Sequence, residues 1–432
     1  MGRTGRVRAA ATIAIAVASV AALASCAHGG RPAGSSRGRP GLAPSRNTSG
    51  LFSWTHYNRV NGLAAVSADD IWAAGSAATG GPLIAHWNGV AWKQVTPASP
   101  RGATESLLTS VAAAGPSSAW AVGYYNTGHA IKTLIERWNG RRWAQVPSPS
   151  PGSAHGSFLY GVAVAGPSSA WAVGYYLLGG SAVRTLIERW DGRKWAQVPS
   201  PSPGGGHSAS ELHGVAAAGS SDAWAVGYYG RPVRPLTERW NGRAWKFVAS
   251  PNPGGRDGGQ LAAVTAASGS SAWAAGNVGT RTVDRALIER WNGRAWRPVA
   301  SPRPARSRGS TLTAIAAGPA GTAWAAGYYF ADTNVDPAVF TLTEKWDGRS
   351  WRQVPSPSPG GSVRSSADQS LLQAICVTSP SDGWSAGSYG SGNPLGKILI
   401  ERWDGRAWRQ PPLRLDGRPR RPGAGLEDLG AK

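Results

Sequence analysis

The stretch LIERWNGRRWAQVPSPSP, Leu134 to Pro151, places one acid, three arginines and two tryptophans in a short run. It is not unique. LIERWDGRKWAQVPSPSP starts at Leu186, LTERWNGRAWKFVASPNP at Leu236, LIERWNGRAWRPVASPRP at Leu287, LTEKWDGRSWRQVPSPSP at Leu342 and LIERWDGRAWRQPP at Leu399. A divergent copy, LIAHWNGVAWKQVTPASP, starts at Leu83. A second motif, W-[AS]-x-G, precedes each copy, at Trp72, Trp120, Trp171, Trp224, Trp273, Trp324 and Trp384. A repeat of this length is a supersecondary unit that buries its apolar face only against its neighbours. The repeats account for 21 of the 22 tryptophans, leaving Trp54 outside.

Within the second repeat, residues 108–113 read as a strand of small residues and Gly115-Pro116-Ser117-Ser118 as a turn. Residues 119–125 and 133–138 read as two more strands, and 143–146 as a fourth, stopped by the Ser-Pro run. Asn139-Gly140 is a hairpin signal. A two-residue Asn139-Gly140 turn sets Trp138 opposite Arg141. A loop of Gly140-Arg141, or of all four residues, sets it opposite Trp143, and the repeated tryptophan pair favours that register. Four strands per unit, seven times, predict an all-β chain: a seven-bladed β-propeller of four-stranded antiparallel blades. Its repeats lie near 60–97, 107–147, 158–199, 211–249, 261–300, 312–355 and 371–410, within a propeller spanning 51–410. The unit resembles a kelch repeat of the galactose-oxidase type. The first of that family's paired glycines matches Gly123, and its aromatic and later tryptophan match Trp138 and Trp143, across a shorter hairpin.

The second strand alternates faces. Trp120 and Val122 share one, Ala121 and Gly123 the other, and the glycine recurs at 75, 123, 174, 227, 276, 327 and 387. This predicts that the tryptophan of each blade packs over the bare face of its neighbour, and that Gly123→Val is severely destabilising. A head-to-tail contact of this kind closes into a ring. Glu136-Arg137 and its copies suggest ion pairs between blades, or pairing within each sheet. Asp70, Ser118, Ser169, Asp222, Ser271, Thr322 and Asp382 are expected to cap turn N–H groups. Cys376 takes an alanine slot of the first strand and reads as a buried thiol.

Recurring residues are construction, so function is sought among the variable ones. Asn61, Thr109, Tyr160, His213, Ala262, Thr313 and Gln373 share one position of the first strand. All but Ala262 are candidate ligand-binding residues at the mouth of a central channel. The loops between second and third strands add Lys132, Arg184, Arg231, Arg234, Arg281, Arg285 and Lys397 as a basic rim. Asp332, Asn334 and Asp336 resemble the start of an EF-hand calcium loop, but Pro337 replaces the glycine and Thr343 the bidentate glutamate. No metal and no cofactor is expected, and no catalytic residue is assigned. A galactose-oxidase copper site would need a Tyr, His and Cys cluster, and no histidine cluster accompanies Cys376. No nucleophile elbow or phosphate loop occurs.

Arg3, Arg6 and Arg8 precede an apolar run at 9–22, followed by Leu23-Ala24-Ser25-Cys26. This resembles a bacterial lipoprotein signal over 1–26, with Cys26 as the lipidated residue. An ordinary secretory signal is the alternative. Residues 27–50 then read as a flexible tether and 411–432 as a disordered basic tail. Lipidation of Cys26 leaves only Cys376, so no internal disulfide is expected. The net charge of +22 suits an anionic partner. The chain is thus expected to be a monomeric, extracytoplasmic propeller anchored to the membrane through its lipid. It would bind an envelope ligand, anionic glycan, wall polymer or protein, and nucleic acid is not an expected partner. The alternative is a glycan hydrolase or lyase working on the long-loop face.

Overall fold

The computed structural model describes residues 58–411, apart from 153–154, 180–181, 206–207, 280–283, 333–337, 361–368 and 391–395. The leader with Cys26, the tether, residues 51–57 and residues 412–432 lie outside this range. Seven antiparallel units of four strands follow one another in chain order, each an up-and-down meander. A single parallel pair, Val339 with Gln369, joins the sixth unit to the seventh. The only helical turn among the described residues is the 3-10 turn Pro319–Gly321.

The first strands of the units are Arg59–Ser67, Glu105–Gly115, Ser157–Gly166, Ser210–Gly219, Gly259–Ser268, Ser307–Ala317 and Gln369–Ser379. Each touches the first strand before and after it, and the last touches the first. These seven inner strands therefore form a closed ring, and the chain is a closed seven-bladed β-propeller. Among the described residues no strand is exchanged to close it. The first and last blades share a core of Ile71, Trp87, Trp92, Cys376, Trp384 and Ile400.

The tryptophans explain the ring. Trp120 of the second strand lies 4.9 Å from Trp190 and 5.1 Å from Trp195, the pair on the next blade's outer hairpin. The same triplet recurs between every successive pair of blades, ending with Trp384 against Trp87 and Trp92. Burying one such side chain removes about 200 Å² from water, worth about 5 kcal/mol as an upper bound. Trp72 also packs with Ala119 and Ala121 of the next blade, the bare face expected from the repeats.

Trp138 pairs with Trp143, the second of the two registers considered. Gly140 has φ +86°, and the Asn139 side-chain oxygen accepts the N–H groups of Arg141 and Arg142, both at 3.0 Å. A glycine at the first central position gives the hairpin twist that matches the strands.

Two expectations change. Each inner strand is longer than read, and each carries a bulge that inserts one residue. Leu108 pairs with Gly123 and Ser110 with Val122, so Thr109 is the extra residue. A bulge breaks the period of two, which hid the strand's true start at Glu105. It also gives the repeated glycine a different reason. A Cβ on Gly123 would run into the Leu107 carbonyl of its own sheet, and every equivalent glycine faces the matching carbonyl.

The interblade Glu–Arg pairs do not form. Arg137 instead lies 5.1 Å from the Trp120 ring and 5.5 Å from Trp190, a cation sandwiched at the blade seam. Asp222 and Asp382 pair with the strand-three arginines Arg239 and Arg402 of their own blades, each at 2.7 Å. Asp70 pairs with His86 in the same way, also at 2.7 Å.

Candidate functional site

The seven variable positions singled out in the sequence are the seven bulge residues. An extra residue is released from the ladder and can point its side chain elsewhere. Three of them use that freedom to tie blades together. Asn61 donates to the Leu108 carbonyl at 2.7 Å, Thr109 to Leu159 at 2.9 Å and Thr313 to Leu372 at 2.7 Å. These side chains link neighbouring inner strands.

Tyr160 and His213 behave differently. Their rings lie 5.3 Å apart; Tyr160 also stacks on Tyr175 at 5.6 Å, and His213 meets Tyr228 at 5.5 Å. Glu211 is 1% exposed, its Oε2 3.5 Å from His213 Nε2. Burial, then the Tyr175 and Glu211 charges among other causes, push the Tyr160 hydroxyl well above its usual range. Tyr124, Tyr175, Tyr228 and Tyr328 were not anticipated as neighbours of the ring. Their signal was the Tyr-Tyr pair after the W-A-x-G motif. Its first ring turns toward the inner strands. Glu211 lies two residues before the His213 bulge and pairs with Tyr228 across the strand.

The second tyrosine of the pair sits farther out. Tyr125, Ala130, Lys132, Thr133, Gln145, Pro147, Ser148 and Ser150 line an open depression of about 610 Å³ on the second blade. It lies at the end carrying the long loops. The ring offers an apolar face, Lys132 an exposed cation, and Gln145 an amide. Ser148 and Ser150 both bond the Thr133 hydroxyl, at 2.7 and 2.9 Å, which fixes the Ser-Pro wall. The third blade repeats the residues as Tyr176, Ala182, Arg184, Thr185, Gln197, Pro199, Ser200 and Ser202, although Arg184 there bonds the Gly205 carbonyl. Elsewhere another side chain packs on the tyrosine. Phe247 packs on Tyr229 at 5.8 Å, Phe340 on Tyr329 at 5.5 Å, and Lys397 lies 5.8 Å over Tyr389.

Of the expected rim, Lys132, Arg231, Arg234, Arg285 and Lys397 are exposed, and Lys132 alone enters the depression. Arg281, Asn334 and Asp336 lie outside the described residues. Asp332 pairs with Arg308 at 2.7 Å. No group of three or more metal-ligating side chains gathers among the described residues.

The repeated glutamates are buried at the blade seams. Glu136, Glu188, Glu238, Glu289, Glu344 and Glu401 are all 0% exposed. Three of them meet a donor on the connector leaving the preceding blade. Ser250 donates to Glu289 at 2.6 Å and Ser301 to Glu344 at 2.8 Å, while Ala98 N–H donates to Glu136 at 2.8 Å. The matching serines 148, 200 and 356 are held by Thr133, Thr185 and Thr341 of their own blades. Glu188, Glu238 and Glu401 are then left without hydrogen-bond partners among the described residues. Burial raises Glu136 and Glu289 to about 7 and Glu344 to about 8, against partial lowering by those donors. The other three are raised well above the usual carboxylate range by burial alone. These acids are seam groups, closed to any substrate.

No protein-family model and no curated protein matches the chain. Solved structures do. A GH74 xyloglucanase from Xanthomonas campestris aligns with TM-score 0.53 and 16% identity, over 83% of this chain and 55% of that one. The chain thus spans about half the length of that enzyme. YCF48 from Cyanidioschyzon merolae aligns with TM-score 0.46 and 15% identity, over 80% of this chain and 95% of that one. The Aleuria aurantia lectin aligns with TM-score 0.40 and 13% identity, over 83% and 96%. The xyloglucanase alignment agrees with the propeller fold. At these identities the similarity concerns fold alone.

Proposed function

We propose that this protein is a binding module of the cell envelope whose ligand is a glycan carrying an anionic group. The second-blade depression carries this reading. An aromatic face suits the apolar side of a sugar ring, and Lys132 beside it suits a carboxylate or phosphate. Gln145 supplies an orienting hydrogen bond. The depression has no carboxylate in its lining, which favours retention over hydrolysis. In this reading Cys26 is the lipid attachment point, the chain is exported, and 27–50 links the propeller to that anchor. The kelch-like W-x-x-G and tryptophan spacing supports a shared blade design and no shared chemistry.

The test is a screen of neutral and uronic-acid- or phosphate-bearing glycans against the full chain, with Tyr125→Ala and Lys132→Glu as controls. Retention of acidic glycans that both substitutions abolish, with unchanged thermal unfolding, supports the reading. Equal retention by the Lys132→Glu variant overturns it.

A further inference from the structure

The opening motif contains one residue that the fold does not explain. In W-[ND]-G-R-x-W the tryptophans build the seam. The Asn or Asp accepts two turn N–H groups, and the glycine has φ between +86° and +97°. The residue after the glycine carries no such duty. It is Arg141, Arg193, Arg243, Arg294, Arg349 and Arg406 in six blades. All six are exposed, and none makes a side-chain hydrogen bond, ion pair or ring contact among the described residues.

Drift between copies would have scattered such a position, as it scattered its neighbours. The next residue is Arg142, Lys194, Ala244, Ala295, Ser350 or Ala407. Yet the arginine stays. In the first blade the same place holds Val90, 83% exposed.

Topology sets all seven on one end of the propeller. The hairpin glycines lie against the turns between first and second strands. Their Cβ positions would fall 3.0–3.4 Å from Asp69, Ser117, Ser168, Ser221, Ser270 and Ser381 in six blades. Those turns are short and built mainly from Ser, Gly, Pro and Ala, so long arginine side chains rise above a low surface. Exposed acids on this end are few, and Asp347 and Asp404 are already paired with Arg352 and Arg409.

We propose that this end of the propeller docks flat on an anionic lipid surface, with the six arginines at headgroup level and Val90 among them. A plane can meet all members of a ring at once. A linear polymer would have to bend through a closed circle to do so. Each basic residue near an anionic bilayer strengthens partition about fivefold, and salt weakens it. The surface lies opposite the glycan depression, so the two readings stand independently: one end holds the membrane and the other faces outward.

The experiment is co-sedimentation of the full chain with phosphatidylglycerol-containing vesicles and with pure phosphatidylcholine vesicles. The readout is the increment due to the anionic lipid, so binding through the apolar 9–22 segment cancels. Replacing the six arginines by glutamine should remove that increment, with losses of about fivefold per arginine in partial variants. Thermal unfolding and acidic-glycan retention should stay unchanged. Replacing Lys132, Arg231, Arg234, Arg285 and Lys397 by glutamine, on the other end, should leave most of the increment. The proposal is overturned if the six-arginine variant keeps the increment, or if both sets reduce it equally. It is also overturned if that variant loses retention on heparin while vesicle binding persists, which would make the partner a polymer.

Discussion

The indole of Trp384 in the last blade stands 4.9 Å from that of Trp87 in the first, tilted by 53°. With Trp92 at 5.4 Å, this is the same triplet that joins every other pair of blades. Among the described residues side-chain packing closes the ring, so the seam between the ends should be where it opens. Trp384→Ala should cost about 3–5 kcal/mol, as for other large core truncations. Hydrogen exchange should then show amides of the first and last blades losing protection ahead of the rest. Uniform loss across all blades would contradict a closure point there.

Gly123→Ala should be severely destabilising, because even one methyl meets the Leu107 carbonyl of the same sheet. The cause can be separated from packing against the neighbouring blade. Trp72→Ala should not rescue Gly123→Ala in denaturant unfolding. A rescue of more than about 1 kcal/mol would place the clash at the blade seam instead.

The six seam glutamates set a pH dependence. Their folded values lie above the ordinary 4.5, at about 7 for Glu136 and Glu289 and about 8 for Glu344. Between pH 4.5 and 8 the folded state therefore holds more protons than the unfolded state, and stability falls as pH rises. Unfolding midpoints should be highest near pH 5 and decline toward pH 8. The six glutamines in place of these residues should flatten that decline. A midpoint that rises from pH 5 to 8 would contradict the assignment.

The donor rule at the seams predicts different pH dependences for two small substitutions. Ser250→Ala removes the hydroxyl that reaches Glu289 and should cost about 1–3 kcal/mol near neutral pH. Thr133→Ala frees Ser148, which can then turn to Glu188. Its cost at pH 8 should be smaller than at pH 5. Equal costs at both would show that Ser148 stays where it is.

Much of the candidate site was legible as position but not as role. The variable column from Asn61 to Gln373 was visible because six other copies framed it. That the column is a row of bulges was hidden, since an extra residue looks like a short strand when only alternation is read. The linking role of Thr109 and Thr313 follows from the neighbour's carbonyl, which no single repeat contains. The depression at Tyr125 was missed because its lining comes from three separate strands and a connector.

The sequence by itself determined the seven repeats, the four strands in each and the tryptophan pairing, because local periodicity and turn chemistry recur in every copy. The arginine after the hairpin glycine was likewise plain in LIERWNGRRW. What only the tertiary structure decided was partnership. Arg137 chose two tryptophan faces over a glutamate, Glu136 chose the preceding blade's connector, and Gly123 answered to a carbonyl of its own sheet. Each of those choices depends on which group lies across a strand or a seam, and neither distance along the chain nor period encodes that.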